Sequence, residues 1–237
     1  MRPLAGRIAL VTGASRGIGA AIATELGRLG AHVVITARTQ GGLEETDDAI
    51  QAAGGTASLL PLDLKAQKDI EAVGPSIHQR FGSLDILVHC AAMLGRLTPT
   101  PHITEQDWTN VTAVIPTAAM RLIRSCGPAL LASSAGRAVF LTNANPPTAY
   151  WGTYGAANAA LRHLVECWAA ETRASNLRIN LADPGPTGTR LRSDAMPGEA
   201  RSSIQQPQEA ATRIVPLCLA EETRHGAVVR LAEAAAA

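Results

Sequence analysis

Six short, almost unbroken apolar runs recur along the chain: RIALVT (7–12), AHVVITA (31–37), ASLLPLD (57–63), LDILVHC (84–90), RAVFLT (137–142) and LRINLAD (177–183). Each has the length of a strand and offers apolar residues to both faces. Between them, apolar residues return every three or four positions, over 19–29, 42–53, 66–81 and 154–174, which predicts amphipathic helices. Two-faced apolar strands alternating with helices predict a parallel sheet covered on both sides. The expected fold is α/β, a single doubly wound Rossmann-type domain spanning 1–237.

Composition agrees with one such domain. The chain has 237 residues, 46% hydrophobic and 17% charged, the proportions of a soluble globular protein. A formal net charge of +1 favours neither nucleic acid nor an acidic membrane as partner. No apolar run reaches the roughly 18 residues that span a bilayer, and MRPLAGRIALVTG lacks a secretory apolar region, so the cytoplasm is the expected location. The four cysteines (Cys90, Cys126, Cys167, Cys218) form no CxxC pair and read as reduced thiols. The six histidines are dispersed without zinc-like spacing, so no metal is expected.

Directly after the first apolar run comes TGASRGIG. Gly13, Gly17 and Gly19, with Ser15, Arg16 and Ile18 between them, open the next helix. Glycines at a strand-to-helix turn let backbone N–H groups approach a pyrophosphate at the positive helix end. A tight turn without a ligand is the alternative. The second strand ends in Ala37-Arg38-Thr39, where an NAD-binding protein carries an acid for the ribose 2′-hydroxyl. An arginine suits a 2′-phosphate instead, and Arg16 offers a second guanidinium, so NADP(H) is the expected cofactor. Either arginine could also be an ordinary solvated side chain.

With its TGxxxGxG turn the chain resembles the short-chain dehydrogenase/reductase family over nearly its whole length. The resemblance implies that Asp63, followed by Leu64, holds the adenine ring. It also implies that Ala91 borders the cofactor, and that DPGPTGT (183–189) lies at the nicotinamide. There Pro184 and Gly185 form the turn, and Thr187 and Thr189 are candidates to contact the carboxamide or the phosphates. The stretches AYWGTYGAANAAL and RINLADPGPTGTRLRSDAMPGE are similar to the YciK-like branch of the family.

The family's chemistry uses a tyrosine and, four residues on, a lysine on the same helical face. A serine at the end of the fifth strand polarises the carbonyl, and an asparagine supports a relay water. Here Tyr154 is present, but the lysine position is Asn158, the serine position Asn143 (with Thr142 beside it) and the asparagine position Ile115. Pro116 next to it predicts a kinked or late-starting helix. The turn after the fourth strand, NNAG-like in the family, reads His89-Cys90-Ala91-Ala92. Asn143 keeps an amide donor, whereas Asn158 carries no charge. Tyr154 is then expected to return to an ordinary phenol pKa of about 10, usable as an acid but poor as a base. His89 and Cys90 are adjacent at a strand end and point to opposite faces, so a Cys/His nucleophile is not expected.

Of seven aromatics, Phe140, Tyr150, Trp151 and Tyr154 fall within one fifteen-residue stretch, which suits a pocket floor or core and dimer packing. The resemblance implies a homodimer or homotetramer through the helices near 118–126 and 154–174. The segment after Thr189 reads as a polar loop without a signature for the substrate. Three functions follow: an NADP(H)-binding protein with impaired or lost oxidoreductase activity, an active NADPH-dependent carbonyl reductase using Tyr154, or a non-catalytic scaffold or regulatory subunit.

Overall fold

A computed structural model describes residues 2–143 and 146–231. Seven strands, β1 (Ile8–Thr12), β2 (His32–Ala37), β3 (Thr56–Pro61), β4 (Ile86–His89), β5 (Arg137–Leu141), β6 (Arg178–Asp183) and β7 (Ala227–Arg230), form one sheet in the order β3-β2-β1-β4-β5-β6-β7. Every pairing is parallel. The six expected strands are all present. The order reverses between β1 and β4, so a crevice opens at their carboxyl ends.

Helices cover both faces. On one side α1 (Gly17–Arg28), α2 (Gln40–Ala52) and α8 (Pro207–Ile214) enclose one apolar layer, built on Ile22, Leu26, Leu43 and Ile214. On the other, α3 (Gln67–Phe81), α5 (Ala118–Ala132) and α6 (Gly152–Glu171) enclose a second, built on Ile70, Leu122, Phe140, Leu161 and Trp168. The expected helices are present with ends shifted by up to three residues. Neither β7 nor α8 has a counterpart in the sequence reading.

The short α4 (Glu105–Thr112) runs through a π-helical turn, Ala113–Thr117, into α5. Pro116 sits in that turn: it has no N–H to donate and its ring cannot fit a regular helix interior, so the expected kink takes this form. A second proline is handled differently. Pro75 in α3 leaves the Glu71 carbonyl without its helical donor, and the Ser125 hydroxyl of α5 donates to it at 3.0 Å. The same hydroxyl accepts from the Gly74 N–H at 2.8 Å, locking α3 against α5. No helix among the described residues is long and apolar enough to cross a membrane.

Candidate active site

The crevice at the strand ends is a single cleft, bordered by every residue expected to hold the cofactor and by Asn143, Tyr154 and Asn158. At its base the β1–α1 turn packs tightly. A Cβ added at Gly13 (φ +66°) would lie 2.8 Å from the Ala91 Cα, and one at Gly19 would lie 2.3 Å from the Gly13 carbonyl oxygen. Arg16 caps α1 in extended conformation and gives no side-chain cap bond. The first α1 residues line the cleft with N–H groups that no helical carbonyl serves, a cradle that fits a phosphate. Ser15, Ile18 and Leu64 complete this wall, Arg16 and Arg38 border the same end, and Asp63 accepts from the Lys65 N–H at 3.0 Å. Pro184, Gly185, Thr187 and Thr189 also line the cleft, and a Cβ added at Gly17 would lie 3.4 Å from the Thr189 side chain.

At the catalytic end, Asn158 borders the cleft but is 3% exposed, its amide taken up by protein partners. Its Oδ1 accepts from the Asn143 N–H at 2.9 Å and from the Thr142 hydroxyl at 3.3 Å; its Nδ2 donates to the Tyr154 carbonyl at 2.9 Å. The side chain therefore ties the end of β5 to α6. The chain's two lysines, Lys65 and Lys68, both lie outside the cleft, and the Lys65 ammonium bonds the Asn110 amide oxygen at 2.5 Å. No lysine lines the cleft from elsewhere.

Tyr154 is half-buried, and its pKa lies above the ordinary phenol value. Burial is the main cause; the Asp183 carboxylate adds to it, and a hydrogen bond with Asn158 opposes it. The expected return to the ordinary value is therefore corrected upward. A phenolate here lacks a cation and faces an anion. Asp183, 7% exposed at the end of β6, borders the cleft and accepts from the Gly185 N–H at 3.0 Å. Its only sequence signal was an acid immediately before Pro184-Gly185.

Ile115 is buried in the π-turn with its side chain at the cleft. His89 lies beneath that turn, 1% exposed, with Nδ1 2.9 Å from the Thr12 hydroxyl. Burial lowers its pKa to about 4, against the opposing pull of the Ile115 and Val114 carbonyls. The ring is held neutral between β1 and the kinked helix. Cys90 borders the cleft instead, and burial pushes its thiol far above the ordinary range. A neutral thiol without a base does not act as a nucleophile.

The expected aromatic cluster divides. Phe140 is fully buried and packs edge-on to Trp168, whereas Tyr150 is 59% exposed. Trp151 and Tyr154 remain at the cleft, with ring centroids 5.8 Å apart. The segment after Thr189 is also more ordered than its polar sequence suggests. It contains α7 (Arg190–Ala195), capped by Thr189, and a bidentate Arg192–Glu199 pair at 2.6 Å. The Gln205 amide closes the segment by donating to the Pro184 carbonyl and the Thr187 hydroxyl. Among the described residues no cluster of His, Cys, Asp and Glu could hold a metal.

With this geometry in view, the family model for short chain dehydrogenases matches residues 7–200. The oxidoreductase YciK of Escherichia coli K12 is 31% identical over 218 residues, covering 90% of this chain and 84% of that protein. The glycine betaine reductase ATRR of Emericella nidulans is 30% identical over 88% of this chain, a stretch that makes up 16% of that longer protein. A short-chain dehydrogenase from Escherichia coli CFT073, crystallised with NADPH, superposes with a TM-score of 0.89 at 30% identity, covering 97% of this chain and 98% of that one.

Proposed function

The chain belongs to the short-chain dehydrogenase/reductase family, and on that footing we propose that it binds NADP(H) and has impaired oxidoreductase chemistry, limited to slow carbonyl reduction. The nucleotide half of this reading is supported by the glycine cradle, the Arg38–Arg16 end of the cleft and the NADPH carried by a solved relative. When bound, the dinucleotide would supply the hydride. The chain's own contribution is to hold it and to provide the proton.

The observation that carries the impairment is the commitment of the Asn158 amide to protein partners. An amide bonded to Asn143, Thr142 and Tyr154 does not present a cation to a tyrosine or to a ribose. At an ordinary phenol pKa, roughly one tyrosine in a thousand is ionised at pH 7, and Tyr154 sits above that value. It keeps its proton and can donate it to a developing alkoxide; it cannot readily take one from an alcohol. Loss of tuned acid–base catalysis slows such a step by about 10²–10⁴. A homodimer or homotetramer is part of the proposal, through the small exposed residues Gly155, Ala156, Ala159 and Ala160 of α6.

Titration tests the nucleotide half: NADPH binds saturably, more tightly than NADH, and Arg38→Ala weakens NADPH by roughly 10- to 100-fold, the worth of a charge-assisted pair. Absence of binding at millimolar NADPH would overturn it. Aldehyde reduction at saturating NADPH tests the other half. Turnover near the ordinary enzyme median of about 10 s⁻¹, lost in Tyr154→Phe, would show that the site is not impaired.

A further inference from the structure

We infer that the molecule handled beside the nucleotide is a neutral, planar aromatic carbonyl compound, an inference that rests on the nucleotide-binding reading above. Three features of the inner cleft carry it.

First, an aromatic wall is held in place. Tyr150 adopts φ +74°, a left-handed conformation that a bulky residue avoids unless its surroundings impose it. Its carbonyl accepts from the Thr98 N–H at 3.1 Å, and a Cβ added at the neighbouring Gly152 would lie 3.1 Å from the Ile103 side chain. The loop is thus docked on the 98–103 segment, and Trp151 lines the cleft from that anchored point. The Trp151 and Tyr154 rings meet at an interplanar angle of 65°. A flat ring placed beside this pair adds an edge or a face to an existing aromatic contact.

Second, apolar side chains share the inner wall with Thr142, Asn143, Asn158 and Asp183. Met93, Ile115 and Leu191 line the cleft, and Ile115 stands where the family resemblance calls for an amide. Apolar side chains beside a few convergent polar groups suit a largely apolar ligand that carries a carbonyl.

Third, the charges oppose an anion. Asp183 brings a carboxylate to the Tyr154 end. Of the two arginines of α7, Arg192 is held by Glu199 in a bidentate pair, whereas Arg190 is exposed and lies 3.8 Å from Asp194. A carboxylate-bearing substrate would meet Asp183, with Arg192 already committed to Glu199.

The test uses the NADP⁺-saturated protein, in which an aldehyde forms a complex without turnover. Calorimetric titration compares 2-naphthaldehyde, its saturated analogue decalin-2-carbaldehyde and its anionic analogue 6-formyl-2-naphthoate. NADP⁺ binding is measured first and separately. The naphthaldehyde should bind about 3- to 10-fold more tightly than the decalin and at least about tenfold more tightly than the naphthoate. Trp151→Leu, which keeps apolar bulk, should bring the ring preference towards unity, and Asp183→Asn should narrow the gap between the naphthoate and the naphthaldehyde. Equal or tighter binding of the naphthoate, or equal binding of the decalin, would overturn the inference. So would NADP⁺ binding with no affinity for any of the three, which leaves the nucleotide reading standing; no NADP⁺ binding overturns both.

Discussion

Replacing Asn158 with lysine restores the charge that the family resemblance assigns to this position, yet the surroundings predict that it fails. The amide makes three bonds: it accepts from the Asn143 N–H and the Thr142 hydroxyl and donates to the Tyr154 carbonyl. A lysine has no acceptor, so the first two are lost outright. Each such bond contributes about 0.5–1.5 kcal/mol net, and a buried N–H left without a partner costs about 1–3 kcal/mol. The combined loss is about 2–4 kcal/mol. For a domain of this size 1 kcal/mol shifts the midpoint by about 2–4 °C, so Tm should fall by roughly 5–15 °C. Thermal unfolding should be followed without nucleotide, because bound ligand adds stability of its own. Asn158→Ala, which loses the same acceptor without adding charge, should fall by a similar amount. Aldehyde reduction by Asn158→Lys should stay within about tenfold of the wild type, because the β5 end that must present Asn143 is released. A lysine variant with unchanged Tm and a gain of about 10² in turnover would refute this reasoning. It would mean that the site lacked only a charge.

Two further predictions concern stability. His89 is neutral in the fold down to about pH 4, against an ordinary value of 6.5. The unfolded chain therefore binds the extra proton between those values. Stability is fully present above about 6.5 and declines by about 3 kcal/mol as pH falls towards 4. His89→Asn should flatten the Tm profile between pH 7 and pH 5, whatever its absolute stability; an equally steep profile in the variant would assign the effect to other groups. Gly74→Ala places a Cβ 1.9 Å from the Ser125 carbonyl, where α3 and α5 share the Ser125 hydroxyl. Overpacking of about 1–3 kcal/mol should lower Tm by roughly 2–12 °C, while NADPH affinity stays as in the wild type.

Elements whose cause is local were legible, and those whose cause is distant were not. The buried strands betray themselves because both faces are apolar; β7 has four residues, half-exposed, at the sheet edge, and runs into an alanine-rich stretch. The α8 start did carry a signal: Pro207 at its first turn, and Glu209 accepting from the Gln206 N–H at 2.7 Å. By contrast, nothing near Arg192 announces Glu199, and nothing near Gln205 announces Pro184, so the segment between them reads as a loop. The glycine turn was legible because its spacing alone places the backbone.

Asn158 marks the limit of that legibility. In the sequence it reads as a lysine lost, since an asparagine facing a ribose and one facing inward look identical. What decides between them is the Asn143 N–H, fifteen positions earlier, which reaches Asn158 Oδ1 at 2.9 Å. Tyr154 is similar: its raised pKa depends on burial and on Asp183, far along the chain. The position that lost a charge has thus gained a structural duty, holding the Asn143 end of β5 against the helix that carries Tyr154. Undoing the substitution requires a second change that supplies another acceptor for the Asn143 N–H. Position 142 is the nearest place to seek it, because the Thr142 hydroxyl already points at the same amide oxygen.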